Sequence, residues 1–93
     1  MDLEIKIKSD KITLIDKPIK SQYCPKNGIY LGNVLLCDYG YDYSGIADKE
    51  KPYIIKSEFI TFKENFKRYQ KESDARIKAI EAGKYIIENI FKL

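Results

Sequence analysis

The chain contains no histidine and no tryptophan, two cysteines, one methionine and only two arginines against fifteen lysines. Each shortage excludes something. Without histidine, the commonest general base and the commonest metal ligand are missing. Cys24 and Cys37 lie thirteen residues apart, with neither a CxxC pair nor a histidine to turn them into a thiolate nucleophile or a zinc site. Two reduced thiols are the expectation, because a secreted domain of this size usually carries more cysteines. No run reaches the ~18 consecutive apolar residues of a membrane-crossing helix. The opening Met1-Asp2-Leu3-Glu4 lacks the basic-then-apolar order of a secretory leader. A cytoplasmic protein without membrane association is therefore expected. The scarcity of arginine also weakens nucleic-acid recognition, since lysine is a hydrated point charge and arginine is the better fork for phosphates and bases.

What is present is globular in composition. The 93 residues are 44% hydrophobic and 33% charged, which suits one domain with one modest core. The net charge of +3 comes from 17 basic and 14 acidic side chains. Residues 1–47 balance to zero, so the whole excess lies in the second half, and it is too mild to imply nucleic acid by itself. No internal repeat or low-complexity segment interrupts the chain.

The first sixty residues read as strands. Leu3 to Lys8 alternate apolar and charged, which places Leu3, Ile5 and Ile7 on one face of a half-buried strand. Ser9-Asp10 is a polar break, and Lys11–Asp16 reads as a second strand with Ile12 and Leu14 inward, forming a tight hairpin. Lys17–Gly28 is a connector with Pro18, Pro25 and an Asn27-Gly28 turn. Within Ile29–Cys37, Gly32-Asn33 reads as a hairpin turn, or else as a bulge in one long strand. Asp38–Pro52 is polar and reads as a loop of about fifteen residues, long enough to need a purpose. Tyr53–Ile60 is a last strand, bent near Ser57.

Helical periodicity then takes over. Thr61 and Glu64 fit a capping box. Phe62, Phe66 and Tyr69, then Ile77, Ile80, Ile87 and Phe91, recur at helical spacing, and the stripe is widened by Ala79, Gly83, Ile86 and Ile90. Ser73 can cap a second helix, so either one helix of about thirty residues or a kinked pair is expected. Strands first and helix last predict an α+β fold: a small antiparallel sheet of about four to five strands, with the C-terminal helical segment packed on one face. The expected organisation is a single domain over 1–93, β-rich over 1–60 and helical over 61–93.

Three groups of residues are candidates for function. Tyr39, Tyr41 and Tyr43 alternate, flanked by Tyr30 and Tyr53, so in an extended segment the three would project from one face. Tyrosine gives a large rigid contact area at low entropy cost, which suits a partner surface, although rings that merely cover the sheet edge fit equally. Asp38, Asp42, Asp48 and Glu50 are interleaved with them. Their spacing departs from the calcium-loop pattern, and capped turns account for them, so no metal and no cofactor are expected. Gly40 and Gly45 have the outer-glycine spacing of a phosphate loop, but Ile46-Ala47 follow where Lys-Ser/Thr is required. The third group, Lys63, Lys67 and Lys71 with Arg68 beside them, forms a basic stripe if the segment is helical; interleaved acids make it a solvated face first and a phosphate-binding face second.

No base is placed beside Ser44, Ser57 or either cysteine, so catalysis is not expected. The leading expectation is a small non-enzymatic protein-interaction module using Tyr39, Tyr41, Asp42, Tyr43, Asp48 and Tyr53 toward a protein partner. Its most specific form is an inhibitor of a host protein, of the kind viruses and mobile elements encode. The alternatives are a nucleic-acid-binding domain using Lys63, Lys67, Arg68 and Lys71, and a small-molecule or metal-binding protein built on the acidic loop. A homodimer through the last helix or a sheet edge is also expected as an option.

Overall fold

A computed structural model describes residues 1–20, 25–42, 50–59, 65 and 67–92. The elements are β1 (Asp2–Ile7), β2 (Asp10–Ile19), β3 (Lys26–Leu31), β4 (Val34–Tyr41), β5 (Tyr53–Lys56), β6 (Arg68–Tyr69) and α1 (Glu72–Asn89). The strands form one antiparallel sheet in chain order, a meander with α1 on one face. The α+β expectation holds, with six strands in place of four or five.

The first hairpin forms one residue earlier than the polar break suggests. Ile7 pairs with Asp10, so Lys8-Ser9 is the turn, and Lys8 takes the left-handed φ of 58°. The second hairpin turns at Gly32-Asn33 with Gly32 at φ 60°, a conformation that a glycine enters without strain. A bulge also exists, at a different place. Ile29 faces Cys37 while Tyr30 faces Leu35, so Leu36 is the extra residue. This explains why Leu36 and Cys37 are both buried against the helix although they are consecutive.

Strand β2 runs through Pro18, which lacks the N–H a ladder requires. The ladder parity shows why this is tolerated. Asp16 N donates to Met1 O at 2.9 Å and Met1 N donates to Asp16 O at 2.7 Å, so this pair exchanges both bonds. Exchanging pairs alternate along an antiparallel ladder. Even-numbered residues of β2 therefore turn their backbone toward β1, and Pro18 does so where β1 no longer runs. Residues 17–19 and 26–28 of the expected connector are thus sheet, with Asn27-Gly28 inside β3. Likewise β4 continues to Tyr41, so Asp38–Tyr41 is strand and not loop.

The C-terminal segment departs most from expectation. Helix α1 begins at Glu72, with Lys71 in extended conformation before it and no side-chain cap. Ser73 lies inside the helix, where Glu72 and Asp74 place negative charge in the first turn. Arg68-Tyr69 is a short edge strand on β5, so Tyr69 is strand and not helix; Phe62, Phe66 and the Thr61–Glu64 capping box lie outside the described residues. The buried stripe of α1 is Ala75, Ala79, Gly83, Ile86 and Ile87, narrower and smaller than expected, while Ile77 and Ile90 face outward. Small residues let the helix approach the sheet closely. A Cβ on Gly83 would lie 3.3 Å from Ile29 Cγ2 and 3.4 Å from Leu36 Cδ1. Leu14, Ile29, Leu36, Ile86 and Ile87 form the fully buried centre, each contributing about 1.5–3 kcal/mol by leaving water.

The opposite face carries a smaller apolar cover. Ile19, Tyr30 and Leu35 close over Gly28, where a Cβ would sit 2.7 Å from Tyr30 and Leu35 carbons. Lys17 Nζ lies 4.5 Å from the Tyr30 ring centroid and caps that cluster.

Candidate functional site

The helix-side row of β2 ends in a charge. Ile12 and Leu14 point inward, and period 2 sends Asp16 the same way, leaving its side chain 4% exposed. Three elements converge on this carboxylate. Tyr39 Oη of β4 donates to Oδ2 at 2.8 Å, Asn27 Nδ2 of β3 donates to Oδ1 at 3.2 Å, and Arg76 Nε of α1 donates to Oδ2 at 2.7 Å. Asn27 Nδ2 also donates to Tyr39 Oη at 3.3 Å. Burial, then the bond and charge of Asp16, push the Tyr39 phenol up to about 12. The hydrogen bond to Asp16 raises the Arg76 guanidinium further. The cluster is a clamp between helix and sheet: both carboxylate oxygens of Asp16 accept hydrogen bonds and the phenol is held neutral.

Beyond the clamp the sheet opens into a groove of about 420 Å³, with Asn27 and Tyr39 on its floor. Tyr41 and Tyr53 face each other across β4 and β5, with ring centroids 5.7 Å apart at 89°. Tyr41 is 42% exposed and Tyr53 half-buried. Pro18, Pro25, Lys20 and Glu72 are also among its lining residues. The groove is apolar at its aromatic wall and carries both charge signs at its rim.

The alternation of the tyrosines therefore has the expected geometry, since Tyr39 and Tyr41 share one face. That face is the helix side. Tyr39 is 1% exposed and belongs to the core, so it offers a partner no surface. Asp42 points to the other face and is nearly buried, with Oδ2 at 2.6 Å from Arg68 Nη2. Tyr43 and Asp48, with the rest of residues 43–49, lie outside the described residues, as does Lys63. Lys67 and Arg68 sit in and beside β6, and Lys71 just before α1, so the four-residue spacing does not build a basic helical stripe from them. Lys67 instead lines a separate 290 Å³ pocket with Tyr69, Lys78, Glu81 and Tyr85.

Cys37 is buried, and its thiol donates to Ala79 O at 3.1 Å. Desolvation first, then Asp38 and Asp16, push it up to about 12, far from a reactive thiolate. Burial raises the Asp38 carboxyl, and Lys26 Nζ at 3.5 Å, together with Lys56, pulls it back. Among the described residues no group of three or more Cys, Asp or Glu is placed to hold a metal ion, and no helix is long and apolar enough to cross a membrane.

Sequence reasoning missed Asp16, Asn27 and Arg76. Two signals for them were present. An aspartate continuing the inward register of Ile12 and Leu14 needs a buried partner. The two arginines, so few among the lysines, are the residues that meet nearly buried aspartates. Comparison with family models, with curated proteins and with solved structures gives no match.

Proposed function

We propose that the protein is a small non-enzymatic interaction module that docks a protein partner at the Tyr41–Tyr53 end of its sheet. The observation that supports this is the exposed Tyr41 ring, fixed on a strand and braced edge-on by Tyr53. A ring already fixed loses little entropy when a partner covers it. The prolines and the opposed charges of Lys20 and Glu72 at the rim suit an extended peptide segment or loop of the partner. Tyr43 and Asp48, which the sequence also nominates, lie outside the described residues. The specific form of the proposal is a virus- or mobile-element-encoded inhibitor that acts by occupying a host protein's surface.

A photo-crosslinking side chain at Tyr41, with one at Glu88 on the far part of α1 as control, tests the reading in a host lysate. One protein should be captured at Tyr41 and not at Glu88, and Tyr53→Ala should abolish capture while lowering the thermal midpoint without unfolding the protein at assay temperature, since Tyr53 also packs against the core. Equal capture at both positions, or capture only of nuclease-sensitive material, overturns it.

A further inference from the structure

The groove leaves the other edge of the sheet unused. Among the described residues strand β1 pairs only with β2, and Asp2, Glu4 and Lys6 are exposed. The ladder parity set by Met1 and Asp16 fixes which backbone groups of β1 are open: residues 1, 3, 5 and 7 turn toward β2, and residues 2, 4 and 6 turn outward. An added strand must therefore bond to Asp2, Glu4 and Lys6. Leu3 and Ile5, on the helix side of this edge, are only half-buried and gain cover from such a strand.

We infer that the β1 edge is a self-association surface, and that its occupant is β1 of a second copy running antiparallel about a two-fold axis at Ile5. The register follows from charge. A two-fold axis at Glu4 sets Glu4 against Glu4, and one at Lys6 sets Lys6 against Lys6; like charges directly opposite are destabilising. An axis at Ile5 places Glu4 against Lys6 and Lys6 against Glu4 of the second copy, with Asp2 facing Lys8 further out. It sets Ile5 against Ile5 and Leu3 against Ile7 on the helix side. The open backbone groups permit this register, because Glu4 and Lys6 exchange both ladder bonds twice across the axis, and the charges select it over the axes at Glu4 and Lys6. Symmetric closure of this kind consumes an edge that otherwise templates open-ended pairing. The contact is one strand wide, so a weak, reversible dimer is expected.

Sedimentation over a concentration series reads the association. Wild type should dimerise reversibly. Glu4→Lys alone and Lys6→Glu alone should each weaken association at least tenfold, because each turns both cross-axis pairs into like charges. The double swap, Glu4→Lys with Lys6→Glu, should restore it, as should an equimolar mixture of the two single variants. Single cysteines on a Cys24→Ser background test the register. Ile5→Cys should oxidise to a covalent dimer, since residues opposed at a non-exchanging pair lie about 4.5 Å apart at Cα, within disulfide reach. Glu4→Cys and Lys6→Cys should not. A wild-type monomer at millimolar concentration, or a dimer indifferent to Glu4→Lys, overturns the inference. Should Ile5→Cys fail to fold, the charge-swap series decides it alone.

Discussion

Arg76 and Arg68 each meet an aspartate, at 2.7 and 2.6 Å, but on opposite faces of one sheet. Their own side chains are similarly exposed, 31% and 28%. The difference lies in what surrounds the pair. On the helix side, Asp16 is shared by Arg76, Tyr39 and Asn27, so β2, β3, β4 and α1 all end on one carboxylate. On the outer face, Arg68 Nη2 reaches Asp42, while the buried Nη1 finds no hydrogen-bond partner among the described residues. A buried charge stabilises a fold when its whole hydrogen-bonding capacity is met, and contributes little when desolvation is only partly offset. The first pair is a clamp; the second holds β6 to the end of β4.

The largest effect that would break this comparison is at Asp16. Asp16→Ala strands a guanidinium, a phenol and an amide around an apolar gap, and is expected to cost about 3–5 kcal/mol. Denaturant unfolding followed by circular dichroism measures it, and a loss under 1 kcal/mol would show that the clamp carries no weight.

Tyr39→Phe tests one arm of the clamp and is expected to cost about 1–2 kcal/mol near neutral pH. It also sharpens the pH dependence. Tyr39 rises from an ordinary 10.0 to about 12 and Cys37 from 9.0 to about 12, so both hold their protons more tightly in the folded state. Their contributions are whole below about pH 9 and are lost as pH rises toward 12. Unfolding at stepped pH should show stability falling over that window. In Tyr39→Phe the fall should be shallower between pH 10 and 12, because the share of Tyr39 is removed while those of Cys37 and Tyr69 remain.

The smallest effect is expected on the outer face. Arg68→Ala should cost about 1 kcal/mol, since the pair is partly solvated and half of the arginine fork is idle. Arg76→Ala should cost clearly more. Equal losses at the two arginines would erase the distinction between the faces.

The strand half of the fold was readable because its physics is local. Leu3, Ile5, Ile7, Ile12 and Leu14 alternate, and Gly32 supplies a left-handed turn; both effects act within a few residues. The helix from Glu72 was readable for the same reason. The segment before it was not. Tyr69 continues a helical spacing by coincidence, and pairing with Tyr53 on β5 overrides a weak propensity. Of the candidate surface, the shared face of Tyr39 and Tyr41 was legible, but not which of them is covered, because coverage depends on where α1 lies.

The residues alone determined alternating strands followed by an amphipathic helix; that the strands form a meander with β1 at one edge was decided by the tertiary structure. Only the tertiary structure decided that Asp16 is the hub of the interior, that Tyr39 is core and Tyr41 surface, and that the lysines near β6 form no helical stripe. The reason is distance along the chain. Periodicity is set by neighbours one to four residues away, whereas burial of Asp16 is settled by an arginine sixty residues later, and no local pattern encodes that meeting.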